Sequence, residues 1–74
     1  MSAEQENARQ IGIRVRDERR QQKLDQRTLA LISNVGVSAV HRVEHGEVVR
    51  VDTLIRILSA LGLELAVRKR GSGT

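Results

Sequence analysis

The sequence lacks cysteine, proline and all three aromatic residues. Without cysteine, the chain can form neither a disulfide nor a thiolate metal site, which favours a reducing compartment such as the cytoplasm. Without Phe, Tyr or Trp, it also lacks the stacking platforms with which RNA-binding and single-strand-binding modules hold unpaired bases. If nucleic acid is the partner, duplex DNA is therefore the expected form.

Long apolar runs are missing as well. No run approaches the ~20 residues that span a bilayer, and the N-terminal residues lack the apolar core of a signal peptide, so we expect a cytoplasmic, nucleoid-associated protein. The chain has 74 residues, which allows one domain, and a domain of this size buries only about 60% of its unfolded surface. Because no disulfide compensates for the thin core, we expect a homodimer.

Positive charge is the most conspicuous feature of the composition. Thirteen Lys and Arg residues outnumber nine Asp and Glu residues, which gives a formal net charge of +4. Eleven of the thirteen are arginine, whose planar fork of donors matches phosphate oxygens and guanine edges. Small soluble proteins are often basic, however, so charge alone leaves both DNA binding and a merely solvated surface open.

Apolar residues recur at helical spacing in four segments. After a flexible tail over residues 1–6, the pattern predicts helices over about residues 7–22, 26–33, 37–45 and 51–61. Asp25 and Gly36 are the expected N-caps of the second and third helices, and Asn34 is the expected left-handed C-cap. The side chains expected to face the core are Ile11, Val15, Leu29, Ala30, Ile32, Val40, Val43, Leu54, Ile57, Leu58 and Leu61.

Beyond Gly62 the apolar period changes from helical spacing to two. Leu63, Leu65 and Val67 alternate with polar or small residues, which predicts a strand over residues 63–69, followed by a flexible tail over residues 70–74. A lone strand cannot satisfy its backbone hydrogen bonds, so we expect antiparallel pairing with the same strand of a second copy. The predicted fold is all-α with four helices and a short C-terminal β-strand that pairs across a dimer.

Residues 24–46 contain two short predicted helices joined by a tight turn. The segment resembles the Xre/Cro family of phage-repressor-like proteins, whose pattern has Leu-Thr-Gln, then Leu-Ala, a Gly-Val-Ser turn and Ile-x-Arg-Ile-Glu-x-Gly. The matching positions are Gln26, Leu29, Ala30, Val35, Ser38, Val40, Arg42, Val43, Glu44 and Gly46. The resemblance spans about residues 11–62 and implies a lambda-repressor-like helix-turn-helix DNA-binding domain over residues 7–62. Lys23 and Asn34 stand where the family commonly has Gly.

The third helix would be the recognition helix that enters the major groove. With Val40 and Val43 facing inward, the residues expected to contact base edges are Val37, Ser38, Ala39, His41 and Arg42. The residues expected to contact phosphates are Gln26, Arg27, Gly36, His45 and Arg50. In the family, Gln26 corresponds to the usual phosphate clamp, whereas Gly36 replaces a Ser or Thr and keeps only its backbone N–H. The arginines of the first helix can instead form a solvated face.

Glu44 is expected to belong to the scaffold, because a carboxylate at a phosphate interface would repel the DNA. The resemblance implies a partly buried, structural salt bridge between Glu44 and Arg19. His41 and His45 have the four-residue spacing of metal ligands, but no third ligand converges on them, so we expect no metal. No nucleophile–base pair or glycine-rich phosphate loop is apparent, and neither an enzyme nor a cofactor is expected.

Three functions are compatible with these features. The first is a repressor that binds an inverted repeat as a dimer, with recognition helices ~34 Å apart. Its C-terminal strand is similar to that of Hip-type antitoxins, which implies autoregulation of a toxin–antitoxin operon and a Hip-type kinase toxin as partner. The second is a stand-alone Xre-type regulator without a toxin. The third is a protein-interaction adaptor, which would be expected to lack Gln26 and Arg42.

Overall fold

Four helices form the structure, a computed structural model that describes residues 3–69. In chain order they are α1 (Ala3–Gln21), α2 (Gln26–Ser33), α3 (Val37–Glu44) and α4 (Val51–Ala60). The four predicted helices are thus confirmed, and none of the described helices is long and apolar enough to cross a membrane.

Helix α1 begins earlier than the sequence predicted. It starts at Ala3 instead of near residue 7, so residues 3–6 belong to the helix and not to a flexible tail. Ala, Glu and Gln are among the strongest helix formers, and a helix that is already packed on the core extends readily through them. The predicted tail over residues 70–74 lies outside the described residues.

The core lies where the four helices meet. Helix α1 packs on α3, and α2 packs on both α3 and α4. Each helix contributes one side chain with no exposed surface, namely Val15, Leu29, Val40 and Ile57. Around these four pack Ala30, Val43, Leu58 and Leu61, with Ile11 and Leu54 partly buried at the edge. The small apolar residues of the sequence therefore suffice for one continuous core without an aromatic ring.

The inner face of α2 differs from the prediction. Ile32 is 53% exposed, whereas Ser33 is only 5% exposed. Because α2 packs on two helices, its buried face is centred between Leu29 and Ala30 and takes in Ser33, while Ile32 points away from it. The Ser33 hydroxyl donates to the Leu29 carbonyl at 2.5 Å, so its burial leaves no unsatisfied donor.

The caps between the helices follow the sequence closely. The Asp25 carboxylate accepts a hydrogen bond from the Thr28 N–H at 2.7 Å and caps α2. Asn34 ends α2 in the left-handed conformation, with φ 59° and ψ 46°, and its neighbour Val35 returns a backbone hydrogen bond to Ala30. Lys23 also has φ 59°. The two positions where the family commonly has Gly are therefore left-handed here.

Residues 63–69 have no regular secondary structure, and the predicted strand is absent from the described part of the chain. Leu63 is held in place because its N–H donates to the Leu58 carbonyl at 2.8 Å and its side chain packs on the core. Beyond it, Leu65 and Val67 are 42% and 92% exposed. A strand forms only when its backbone groups meet a second strand, and the four helices supply none.

Gly12 marks the closest approach of α1 to α3. A Cβ atom at this position would overlap the carbonyl oxygen of Val43 and lie 3.0 Å from that of Glu44. Both neighbours are backbone atoms at the C-terminal end of α3, so they cannot move aside as a flexible side chain can. The absence of a side chain at Gly12 therefore sets the distance between α1 and α3.

We expect Gly12→Ala to lower the free energy of unfolding by about 1–3 kcal/mol, because the added methyl group forces α1 away from α3. Helix propensity alone would change it in the opposite direction by about 1 kcal/mol. Urea unfolding followed by circular dichroism measures the difference. Gln10→Ala, at an exposed position of the same helix, is the matched control and should stay within about 0.5 kcal/mol of wild type. A Gly12→Ala variant as stable as this control would contradict the close approach.

Candidate nucleic-acid interface

Helix α3 has one buried face and one exposed face. Val40, Val43 and Glu44 face inward. The exposed side chains recur every three or four residues and so form one stripe, Ser38, His41, Arg42 and His45. Val37 at the start of the helix is 46% exposed, and Ala39 is half-buried at the edge of the stripe. The structure therefore brings the predicted base-contacting residues onto one accessible surface.

Arg42 lies in the middle of this stripe. Its guanidinium is exposed and has no hydrogen bond or ion pair within residues 3–69. All five N–H donors of the group are thus open to an external acceptor.

The two histidine rings of the stripe lie against each other in a tilted arrangement. The rings of His41 and His45 have centroids 4.0 Å apart and an interplanar angle of 31°. His45 Nδ1 lies 2.8 Å from the His41 carbonyl oxygen, a position from which an Nδ1–H group donates to that carbonyl. The described residues hold no group of three or more His, Cys, Asp or Glu side chains that could hold a metal ion.

The N-terminus of α2 lies beside the buried end of α3. The Gln26 side chain donates from Nε2 to Glu44 Oε1 at 3.1 Å. The backbone N–H groups of Gln26 and Arg27 are the first two of the helix, and groups at these positions have no intrahelical acceptor. Together with the helix dipole they form a donor set suited to an anion.

Three further predicted phosphate contacts lie on exposed loops or helix ends. Arg27 is exposed in the first turn of α2, and Gly36 is the exposed N-cap of α3, with no side-chain cap. Arg50 precedes α4 and pairs with Asp52 at 3.2 Å, with side chains 83% and 53% exposed. Exposed pairs of this kind contribute little free energy, so Arg50 can exchange Asp52 for another anion at small cost.

Arg19 and Glu44 form a buried, two-pronged ion pair. Arg19 Nε donates to Glu44 Oε2 at 2.6 Å, and Arg19 Nη2 donates to Glu44 Oε1 at 3.0 Å. The two side chains are only 10% and 2% exposed. A third donor, Arg19 Nη1, reaches the carbonyl oxygen of Leu24 at 2.8 Å. The structure thus brings together the two residues that the resemblance paired.

The charge of Glu44 is maintained by its donors. Burial by itself would raise the pKa of Glu44. Hydrogen bonds from Arg19 and Gln26, together with the positive charges of Arg19 and Arg16, outweigh burial and hold the pKa below its ordinary value of 4.5. The pKa of Arg19 is raised by the same hydrogen bond to Glu44. Both groups therefore stay ionised near neutral pH.

Arg16 is a residue whose placement the sequence did not reveal. The arginines of α1 could not be told apart from a solvated face, yet Arg16 is half-buried, and its charge acts on Glu44. Its Nε is buried and is the one such side-chain nitrogen or oxygen in the described chain without a hydrogen-bond partner. A spacing signal existed, since Arg16 precedes Arg19 by three residues and shares its side of the helix.

Comparison with known protein families shows a match over most of the chain. A family model described as Helix-turn-helix matches residues 15–67, which is more than half of the chain and includes α2, α3 and α4. No curated protein matches the sequence.

We expect Glu44→Ala to lower the free energy of unfolding by about 3–5 kcal/mol, because it leaves the buried charge of Arg19 without a partner. The double variant Arg19→Met with Glu44→Leu should lose less than either single change to an uncharged residue, since no uncompensated charge remains. Urea unfolding of wild type, Arg19→Met, Glu44→Leu and the double variant completes this cycle. Losses that simply add would show that the two side chains do not interact.

The pH dependence of stability provides an independent check of the same pair. Because the pKa of Glu44 is lower in the folded chain than its ordinary value of 4.5, its ionisation stabilises the fold above that value. The contribution is lost as the pH falls through the folded pKa. The stability difference between wild type and Glu44→Gln should therefore shrink on acidification. A difference that stays constant from neutral pH to well below 4.5 would contradict an ionised, paired Glu44.

Proposed function

The chain belongs to the helix-turn-helix family of Xre- and lambda-repressor-like DNA-binding transcription regulators, and on that premise we propose that it is a sequence-specific repressor that reads duplex DNA with α3. The observation that supports this most directly is the exposed stripe of α3, with the unpaired guanidinium of Arg42 at its centre. An α-helix fits the major groove of duplex DNA, where each base pair presents a distinct pattern of donors and acceptors.

Base recognition is assigned to the exposed stripe and its N-terminal end. Arg42 donates two hydrogen bonds to O6 and N7 of a guanine. Ser38, one turn earlier, donates or accepts at a neighbouring base edge, and His41 lies between them. Val37 and the half-buried Ala39 offer methyl groups to a thymine.

Phosphate contacts are assigned to the rim around this stripe. The N-terminus of α2, with Gln26 and Arg27, faces one phosphate, and the backbone N–H of Gly36 adds a donor at the start of α3. His45 adds a donor at the end of α3 through Nε2 in its imidazolium form, in which both ring nitrogens carry a proton. Arg50 approaches from the loop before α4. These contacts hold the helix in register and carry no base preference of their own.

Repression follows if two copies occupy an inverted repeat and block the promoter. We assign dimerisation to the C-terminal segment over residues 63–69, which pairs with its equivalent in a second copy. An antitoxin that autoregulates an operon with a Hip-type kinase toxin and a stand-alone Xre-type regulator would both use this DNA-binding face. The product of the neighbouring gene distinguishes the two roles.

Arg42→Ala should remove the preference for one base pair in each half-site, at a cost of about 1–3 kcal/mol for the cognate sequence. Arg42→Lys is the matched control for charge, because it keeps the positive charge but not the planar fork. We expect both variants to lose the preference and Arg42→Lys to keep more of the binding to unrelated sequences. Selection of bound sequences from a random pool measures the preference. An unchanged motif in both variants would refute the assignment.

Gln26→Ala should weaken binding to all sequences by a similar factor, because it removes the second side-chain N–H, which is assigned to a phosphate while the first donates to Glu44. Arg50→Ala should do the same and should also reduce the slope of log affinity against log salt by about 1. Since Gln26 is uncharged, its variant should keep the wild-type slope. Fluorescence anisotropy with a cognate and an unrelated duplex at several salt concentrations separates the two effects. A selective loss for the cognate duplex would contradict a phosphate role.

A further inference from the structure

A small polar pocket lies at the junction of α1 and the end of α3. It has a volume of about 240 Å³ and is lined by Gln5, Arg9, His45 and Gly46. Sites for drug-sized ligands are usually larger, about 300–1,000 Å³, so this pocket suits a small group. The first three side chains can donate hydrogen bonds, and none of the described residues that line the pocket is acidic. The lining therefore favours an anion.

Gly46 brings the backbone of α1 next to the end of α3. It has φ 72°, and a Cβ atom on it would lie 3.1 Å from Cα and 3.3 Å from N of Arg9. Because residue 46 has no side chain, the turn after α3 packs directly against α1 at Arg9. Gly46 also donates its N–H to the Val43 carbonyl at 3.1 Å, so the turn is held by a hydrogen bond. The position from which the Arg9 side chain starts is thus fixed relative to α3.

The side of α1 that faces α3 carries the donors of the pocket. Gln5, Arg9 and Gly12 are spaced four and three residues apart and so share one side of the helix. Gly12 lies against the α3 backbone, which identifies this side as the one at the contact. The acid nearest to Arg9 along α1, Glu6, accepts a hydrogen bond from Gln10 at 3.0 Å. The carboxylate of Glu6 is therefore held by a residue outside the pocket.

The pocket adjoins the exposed stripe of α3 to which base contacts are assigned. His45 belongs to both, and its ring lies against that of His41, with centroids 4.0 Å apart. Arg9 forms the α1 side of the pocket and is exposed. A DNA backbone that borders the stripe at His45 is therefore within reach of the long Arg9 side chain.

From this lining and its position we infer that the pocket binds a phosphate of the DNA backbone and that the Arg9 guanidinium holds it. Gln5 adds an amide donor, and His45 adds Nε2 in its imidazolium form. The inference rests on the proposed function and extends it to α1, where a solvated face is the alternative role of the arginines. The site fixes the position of the duplex against α1 and carries no base preference of its own.

Removal of the Arg9 charge tests the site. Arg9→Gln, which keeps a good helix former, should weaken binding to the cognate and to an unrelated duplex by the same factor, about three- to tenfold at low salt. It should also reduce the slope of log affinity against log salt by about 1. Arg9→Lys keeps the charge and should retain the slope. Fluorescence anisotropy at several salt concentrations measures both quantities.

Arg14→Gln is the matched control for net charge. Arg14 is an exposed arginine on another side of α1, where it pairs with Glu18 at 3.2 Å. Its variant should bind both duplexes with nearly the wild-type affinity and slope. Equal losses in Arg9→Gln and Arg14→Gln would reveal a general effect of charge and would overturn the site.

Replacement of single phosphates by uncharged methylphosphonates locates the contact. The duplex is the one that wild type selects from a random pool. In each half-site we expect one phosphate whose replacement weakens binding of wild type but not of Arg9→Gln. Arg50→Ala should remain sensitive at that phosphate, because Arg50 approaches from a different loop. If Arg9→Gln responds to every replacement as wild type does, Arg9 holds no phosphate.

Two further measurements separate this role from others. A purely structural Arg9, acting on the negative end of α3, would make Arg9→Gln less stable to urea than Arg14→Gln and leave the salt slope unchanged. Saturable binding of inorganic phosphate, together with unchanged DNA binding of Arg9→Gln, would assign the pocket to a free anion. Either result overturns this site alone. A wild-type chain that binds all duplexes equally counts against the proposed function alone, because a phosphate contact carries no base preference.

Discussion

The ion pair between Arg19 and Glu44 is the interaction on which the arrangement of the helices depends. Its three hydrogen bonds from one guanidinium join the end of α1, the turn at Leu24 and the end of α3. The Gln26 amide adds the start of α2 to the same carboxylate. Because the pair is nearly free of solvent, losing either partner would leave a charge that nothing else can satisfy. The pair therefore specifies how α3 is presented to the outside.

This network also links the fold to the proposed function. Glu44 ends the buried face of α3, while Arg42, two residues earlier, belongs to the exposed face. The helix has only eight residues. A small rotation about its axis would therefore bury Ser38 and Arg42 or expose Glu44. The close contact of Gly12 with the α3 backbone limits such a rotation from the other side. Rigid placement of a short helix matters for recognition, because base readout depends on the position of individual donor atoms.

A chain of 74 residues can form only a small apolar core, so apolar side chains that stay outside the core indicate where a partner could pack. Each helix contributes one fully buried residue to the core. In contrast, Val51 and Ile55 on α4 and Leu65 and Val67 in the C-terminal segment are exposed to solvent. Burying these side chains in a second copy would add to the stability of a thin core. A symmetric dimer also matches the symmetry of an inverted-repeat operator. A symmetric dimer would then provide both additional stability and the symmetry that an inverted-repeat operator requires.

The sequence by itself determined the features that depend on neighbours along the chain. Periodicity located the four helices, Asp25 and Asn34 capped α2 as expected, and Val40 and Val43 were correctly placed inward, because helix geometry and capping act over three or four residues. The pairing of Arg19 with Glu44 came from the resemblance to a family. Spacing alone could not have joined residues twenty-five positions apart.

Only the tertiary structure decided the features that depend on distant neighbours. Ser33 is buried and Ile32 is exposed because α2 packs on two helices at once. Gly12 is needed because the backbone of α3 approaches α1 closely at that position. Arg16 became distinct from the other arginines of α1 because Glu44 lies nearby. The segment over residues 63–69 has the alternation of a strand, but a strand needs a second backbone to bond with. A local pattern indicates the preferred conformation of a segment. Whether a partner satisfies the hydrogen bonds of that conformation depends on the assembled fold.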